Sequence, residues 1–136
     1  MNYIRFIVHE NPCGKERPKF TRGHAYTPEK TRNYEELVRR EYIAQTGGQK
    51  LSGSLKVFIY AKFPVNASDS QKTKYYKING KIKPTKKPDC DNIAKAILDA
   101  LNGVAYDDDK QVVRLHVEKE YGATGSVEVV IGEIDD

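Results

Sequence analysis

The spacing of hydrophobic positions changes several times along the chain, and each change marks an element. From Asn2 to Glu10, apolar and polar residues alternate and lead into the run Phe6-Ile7-Val8, which predicts a strand. Periodicity is lost from Asn11 to Tyr26, among prolines, glycines and basic residues, as expected of a long loop or irregular excursion. Thr27-Pro28-Glu29 then supplies an N-cap, a proline suited to the first helical turn and an early acid. A helix is expected to about Gln45, before Gly47-Gly48, with Leu37, Tyr42 and Ile43 in its buried stripe. Leu55 to Phe63 is β-branched and aromatic, a second strand ended by Pro64. Ala67 to Tyr76 reads as a short polar helix behind Ser68-Asp69-Ser70, and the lysine-rich stretch after it as an exposed loop. Asp91 to Asn102 is the clearest helix, with Ile93, Ala94, Ile97, Leu98 and Leu101 on one face and Gly103 after its end. Gln111 to Tyr121 and Ser126 to Ile134 alternate as two strands, and Gly122 to Gly125 between them predicts a hairpin.

These elements predict an α+β fold: a mixed sheet of about four strands packed against two or three helices. At 136 residues the chain is expected to form one domain spanning residues 1–136. No apolar run approaches the roughly 18 residues of a membrane span, so no membrane partner is expected. The first residues lack the basic and apolar regions of a secretory signal, which predicts a cytoplasmic protein. Cys13 and Cys90 are far apart and suggest neither a disulfide framework nor a zinc site.

The net charge of +4 hides a strong asymmetry. Met1 to Pro88 carries about +12 and Asp89 to Asp136 about −8. This arrangement suits a protein that grips a polyanion with one segment and concentrates carboxylates in the other, although a solvated charged surface gives the same totals.

Candidate chemistry concentrates between Lys86 and Val113. Pro88-Asp89-Cys90-Asp91-Asn92 opens the clearest helix, and Asp107-Asp108-Asp109 precedes a strand. Magnesium takes one or two carboxylates, with water and substrate phosphate completing its shell. One aspartate can be explained as a helix cap, but a second carboxylate two residues away and three more after the helix cannot. Lys95 lies four residues after Asp91 on the same helix face, where it either positions a phosphate or forms an ordinary i,i+4 pair. The spacing lacks the ligand run and central glycine of an EF-hand loop.

The order Pro-Asp-x-Asp-Asn-x-x-Lys-Ala-x-x-Asp-Ala-Leu from Pro88 to Leu101, followed by Asp-Asp-x-Gln-Val-Val from Asp108, resembles the RusA family of Holliday junction resolvases. A looser match runs through Pro12 to Phe20. The resemblance implies catalytic and metal roles for Asp89, Asp91 and Asp109, with Asp108 as auxiliary metal ligand and Lys95 as supporting catalytic cation. It further implies Mg²⁺ as cofactor, with Mn²⁺ able to substitute, four-way branched DNA as substrate, a homodimer delivering paired nicks, and a recombination or repair role, in a phage or prophage setting. Arg17, Lys19, Phe20 and Arg22, together with His24 and Tyr26, are candidate contacts to unstacked DNA, and a merely solvated loop competes with that reading. Lys81, Lys83, Lys86 and Lys87 immediately precede the first carboxylate and are candidates to bring phosphate to it. His9 and His116 are expected to be structural. Two rival functions remain at this level: a metal nuclease of other substrate preference, and a catalytically silent module that binds branched DNA.

Overall fold

The computed structural model describes residues 3–135, so the expected start of the first strand at Asn2 lies outside the described residues. The order of elements is β1 (Tyr3–Val8), β2 (Lys19–Thr21), β3 (His24–Tyr26), α1 (Glu29–Thr46), β4 (Leu55–Pro64), α2 (Gln71–Ile78), α3 (Cys90–Leu101), a 3-10 turn (Asp109–Gln111), β5 (Val112–Gly122) and β6 (Ser126–Glu133). Four strands form the main sheet in the order β1-β6-β4-β5, with β4 and β5 parallel and the other pairs antiparallel. This is the mixed four-stranded α+β domain expected from the periodicity.

One face of the sheet supplies the core. Leu55, Val57, Ile59, Ala61 and Phe63 alternate inward along β4 and meet Val127, Val129 and Ile131 of β6 and Phe6 and Val8 of β1. Helices α1 and α3 cover this face and pack against each other. From α3, Ile93, Ala94, Ala96, Ile97, Ala100 and Leu101 are buried, so this helix is fixed by its apolar side and presents its polar side outward.

Three local expectations are corrected. The strands β5 and β6 do not pair as a hairpin, because β4 lies between them. Alternation identifies a strand and its buried face but not its neighbour, and β4, with five buried residues on one face, takes the interior position. In α1, the buried stripe is Thr31, Tyr34, Glu35, Val38 and Tyr42, whereas Ile43 is exposed. Within the expected loop, β2 and β3 form a separate two-stranded hairpin around Arg22 and Gly23, both at positive φ (52° and 79°). Two consecutive positive φ values are what a tight type I′ turn requires, and glycine supplies the second without strain.

Candidate active site

Helix α3 presents the first two carboxylates. Asp89 occupies its N-cap position, but its side chain accepts no hydrogen bond from the helix, so capping does not account for it. Asp91 lies in the first turn, where the positive end of the helix dipole favours an anion. Both are exposed, and among the described residues neither makes a side-chain hydrogen bond or ion pair. Lys95, one turn on, is exposed and forms no ion pair with Asp91. Asp89 also borders an open groove of about 520 Å³ whose lining includes Lys15, Lys30, Lys87 and Asn92. Two uncommitted carboxylates, one of them bordering a groove that Lys30 and Lys87 also line, fit a hard divalent cation that must also receive phosphate.

The three later aspartates separate into different roles. Asp107 is largely exposed and pairs with Lys50 at 2.6 Å. Asp108 caps the 3-10 turn by accepting from the Lys110 amide at 2.9 Å, while Gln111 Oε1 accepts from the Asp107 and Asp108 amides. The Lys110 amide foremost, with the Asp109 side chain and the Lys110 charge, holds the Asp108 carboxyl below its ordinary pKa against the cost of desolvation. Asp109 is partly buried, and its amide donates to Asn102 Oδ1 at 2.9 Å. Burial pushes the Asp109 carboxyl up, Asn102 works against this, and the neighbouring Asp108 adds to it.

The structure brings Asp89, Asp91 and Lys95 together at one end of α3 and sets Asp109 at the other. Asn102, which holds Asp109, is eleven residues beyond Asp91, about 16 Å along a helix rising ~1.5 Å per residue. The strand after Asp109 does fold back along α3, since Lys119 of β5 donates to the Lys86 carbonyl just before the helix. Asp109 precedes that strand and therefore stays at the far end. Among the described residues, no three His, Cys, Asp or Glu side chains gather into a metal-holding group.

The basic candidates occupy two places. Lys19, Phe20 and Arg22 lie on the β2-β3 hairpin, which is exposed at every position, with Phe20 75% exposed; Arg17 is exposed just before it. The lysine loop is anchored to the body: Pro84 is buried, and the Lys86 ammonium lies over the Phe63 and Tyr121 rings at 5.9 and 5.8 Å. Lys81 lies over Tyr76, while Lys83 and Lys87 are exposed. His9 is exposed just beyond β1, and His116 is exposed on β5 beside Glu118.

Sequence reasoning missed a bridge beneath this site. The Lys15 ammonium lies 3.0 Å from Glu35 and 3.3 Å from Asp99, and the Lys15 amide donates to the Asn92 carbonyl. One lysine thus ties the amino-terminal loop to α1 and α3. Burial works to lower the Lys15 pKa, but the two carboxylates outweigh it and raise the value. The only available signal was Asp99 within the helix motif, and its partner Lys15 lies 84 positions away in sequence.

A family model described as Endodeoxyribonuclease RusA matches residues 10–132. A relative from Bacillus subtilis (strain 168), Uncharacterized protein YqaN, is 34% identical over 145 residues, an alignment covering 98% of this chain and 99% of that protein. The match runs from just after β1 into β6, and includes both ends of α3 as well as the loop that Lys15 secures. The chain therefore belongs to the RusA family of endodeoxyribonucleases.

Proposed function

We propose that the protein is a divalent-metal-dependent endonuclease that cuts four-way branched DNA by paired symmetric nicks, in recombination or repair. The observation that carries this reading is the uncommitted state of Asp89 and Asp91 at the entry of α3, beside a groove bordered by Lys30 and Lys87. In a structural site these carboxylates would be capping or paired. Membership of an endodeoxyribonuclease family supports the same chemistry.

Asp89 and Asp91 are proposed to hold Mg²⁺, or Mn²⁺ in its place; Asp109 is proposed as the third ligand although α3 sets it apart from them within one chain, and Asp108 is at most auxiliary because its carboxylate caps the 3-10 turn. When bound, the cation supplies Lewis acidity that neutralises charge on the scissile phosphate and eases deprotonation of an attacking water. Lys95 carries its ammonium on the exposed face of α3 and stabilises negative charge developing on the phosphate oxygens. Lys30, Lys83 and Lys87 draw the backbone toward the carboxylates, and Lys86 lends its charge from above Phe63 and Tyr121. Arg17, Lys19 and Arg22 contact a second stretch of backbone, and exposed Phe20 stacks on a base at the branch point. In-line attack leaves a 5′ phosphate and a 3′ hydroxyl. A homodimer matches the two-fold symmetry of a four-way junction.

The test uses labelled four-way junction, duplex, flap, single strand and RNA, with Mg²⁺, Mn²⁺ or EDTA, comparing wild type with Asp91→Asn. The expected result is metal-dependent cutting of the junction that Asp91→Asn abolishes. Equal cutting of duplex or RNA would remove the preference for branched DNA, and binding without cutting under every condition would leave a silent binding module.

A further inference from the structure

A second groove continues from the one beside Asp89. It has a volume of about 670 Å³ and runs between α1 and the loop that follows β1. Along its helical wall Lys30, Asn33, Leu37 and Arg40 recur at helix spacing, a stripe about 15 Å long at ~1.5 Å per residue. Pro12, Cys13 and Lys30 border both grooves, so the two are continuous.

The fold leaves the polar groups of this groove unused. Among the described residues, the side chains of Lys30, Asn33 and Arg40 make no hydrogen bond or ion pair. Tyr34 lines the same groove, is only 5% exposed, and its hydroxyl is buried with no hydrogen-bond partner among the described residues. A buried hydroxyl left unpaired is costly, and this one lies where an incoming group can satisfy it. Cys13 and Glu10, which act on the hydroxyl, also line the groove. Burial foremost, with those two groups adding to it, pushes the Tyr34 hydroxyl up, so it stays protonated and able to donate.

Charge selects the occupant. Glu10 and Glu29 balance Lys30 and Arg40, so the groove is not a plain track for phosphates. It offers donors and acceptors around an apolar middle, which suits a nucleobase, with a cation toward each end for the flanking phosphates. A base edge is free to enter only where pairing is lost, as at a branch point. We infer that this groove holds an unpaired nucleotide of the strand being cut, next to the phosphate at Asp89. The base lies against Leu37, its edge meets Asn33 and the Tyr34 hydroxyl, and Lys30 and Arg40 take the phosphates on either side. This rests on the branched-DNA reading above and adds to it a nucleotide site on α1, apart from the lysine loop and the β2-β3 hairpin.

The test uses the full chain carrying Asp91→Asn, expected to bind without cutting, and four-way junctions with a photoreactive thiobase at successive positions around the branch. The expected result is a crosslink to α1 within residues 29–40 from a position beside the cut phosphate, absent when that base is in unbranched duplex. Crosslinks confined to the lysine loop and the hairpin overturn the inference. Removing the crosslinked base then measures the contact. An abasic nucleotide there weakens binding about tenfold, whereas in a chain that also carries Asn33→Ala and Tyr34→Phe the same removal changes binding by under about twofold, because the contact is already lost. Tyr34→Phe keeps the ring and removes only the unpaired hydroxyl, so an unchanged melting temperature separates a lost contact from a damaged fold. An equal abasic cost in both chains overturns the inference. If wild type cuts the junction while α1 neither crosslinks nor responds to base removal, the groove fails and the nuclease reading stands. If α1 crosslinks but wild type cuts nothing with any metal, the nuclease reading fails and the nucleotide site stands. A chain that binds no branched DNA removes both.

Discussion

At the scale of single residues, the aspartates differ in what they do for the fold. Among the described residues, the Asp89 and Asp91 carboxylates make no hydrogen bond or ion pair, so Asn at either position leaves stability within about 0.5 kcal/mol of wild type. Cutting, by contrast, is expected to fall by about 10² or more. Thermal unfolding and junction cleavage measured on the same preparations check the pair of outcomes. Asp108 is expected to behave in the opposite way. Asp108→Asn weakens the cap of the 3-10 turn and lowers the melting temperature, whereas Asp107→Asn, which loses only an exposed pair with Lys50, leaves it unchanged. The Asp108 carboxyl is held below its ordinary pKa by the Lys110 amide. Its contribution to stability is therefore present above the ordinary carboxylate range and is lost as pH falls through the lowered value. Urea unfolding between pH 6 and about pH 3 should show a fall that is shallower in Asp108→Asn. Sequence disclosed the five aspartates but not this division of labour, which depends on where the chain turns after Asn102.

At the scale of elements, α3 is held by its apolar side so that its polar side is free for chemistry. Ile97 is fully buried in that face, and Ile97→Ala is expected to cost about 2–5 kcal/mol of stability in denaturant unfolding. The Lys15 bridge fixes the same helix from its other flank. Lys15→Met removes the partner of Glu35 and Asp99, at about 1.5–3 kcal/mol for a charged hydrogen bond in a partly buried setting. The Lys15 pKa is raised in the fold, so this contribution is complete below its ordinary value and is lost only as pH climbs through the raised one. The existence of α3 was legible because Ile93, Ala94, Ile97 and Leu101 recur at helical spacing. The β2-β3 hairpin was not, because its positions are all exposed and carry no alternation. Its one local sign was glycine after Arg22, at the turn.

At the scale of the whole molecule, charge segregation by sequence becomes segregation in space only in part. The basic first segment supplies the hairpin and the lysine loop, yet it also supplies Lys15, which neutralises carboxylates beneath the site. The remaining exposed cations should make DNA affinity fall steeply with salt, with a log–log slope reduced by about one for each of Lys83 or Lys87 replaced by Ala, read by binding titrations at several ionic strengths. Fold class and strand faces followed from periodicity, but strand order did not. Pairings such as Phe6 with Val129 join residues at opposite ends of the chain, and no local pattern encodes them. That order has a consequence for synthesis. β6 is made after every other strand of the sheet, yet it is the one that fits between β1 and β4. Until it arrives, β1 has no neighbour and β4 lacks one. The nascent chain therefore cannot close this sheet progressively from β1, and the four strands join only after β6 has been made.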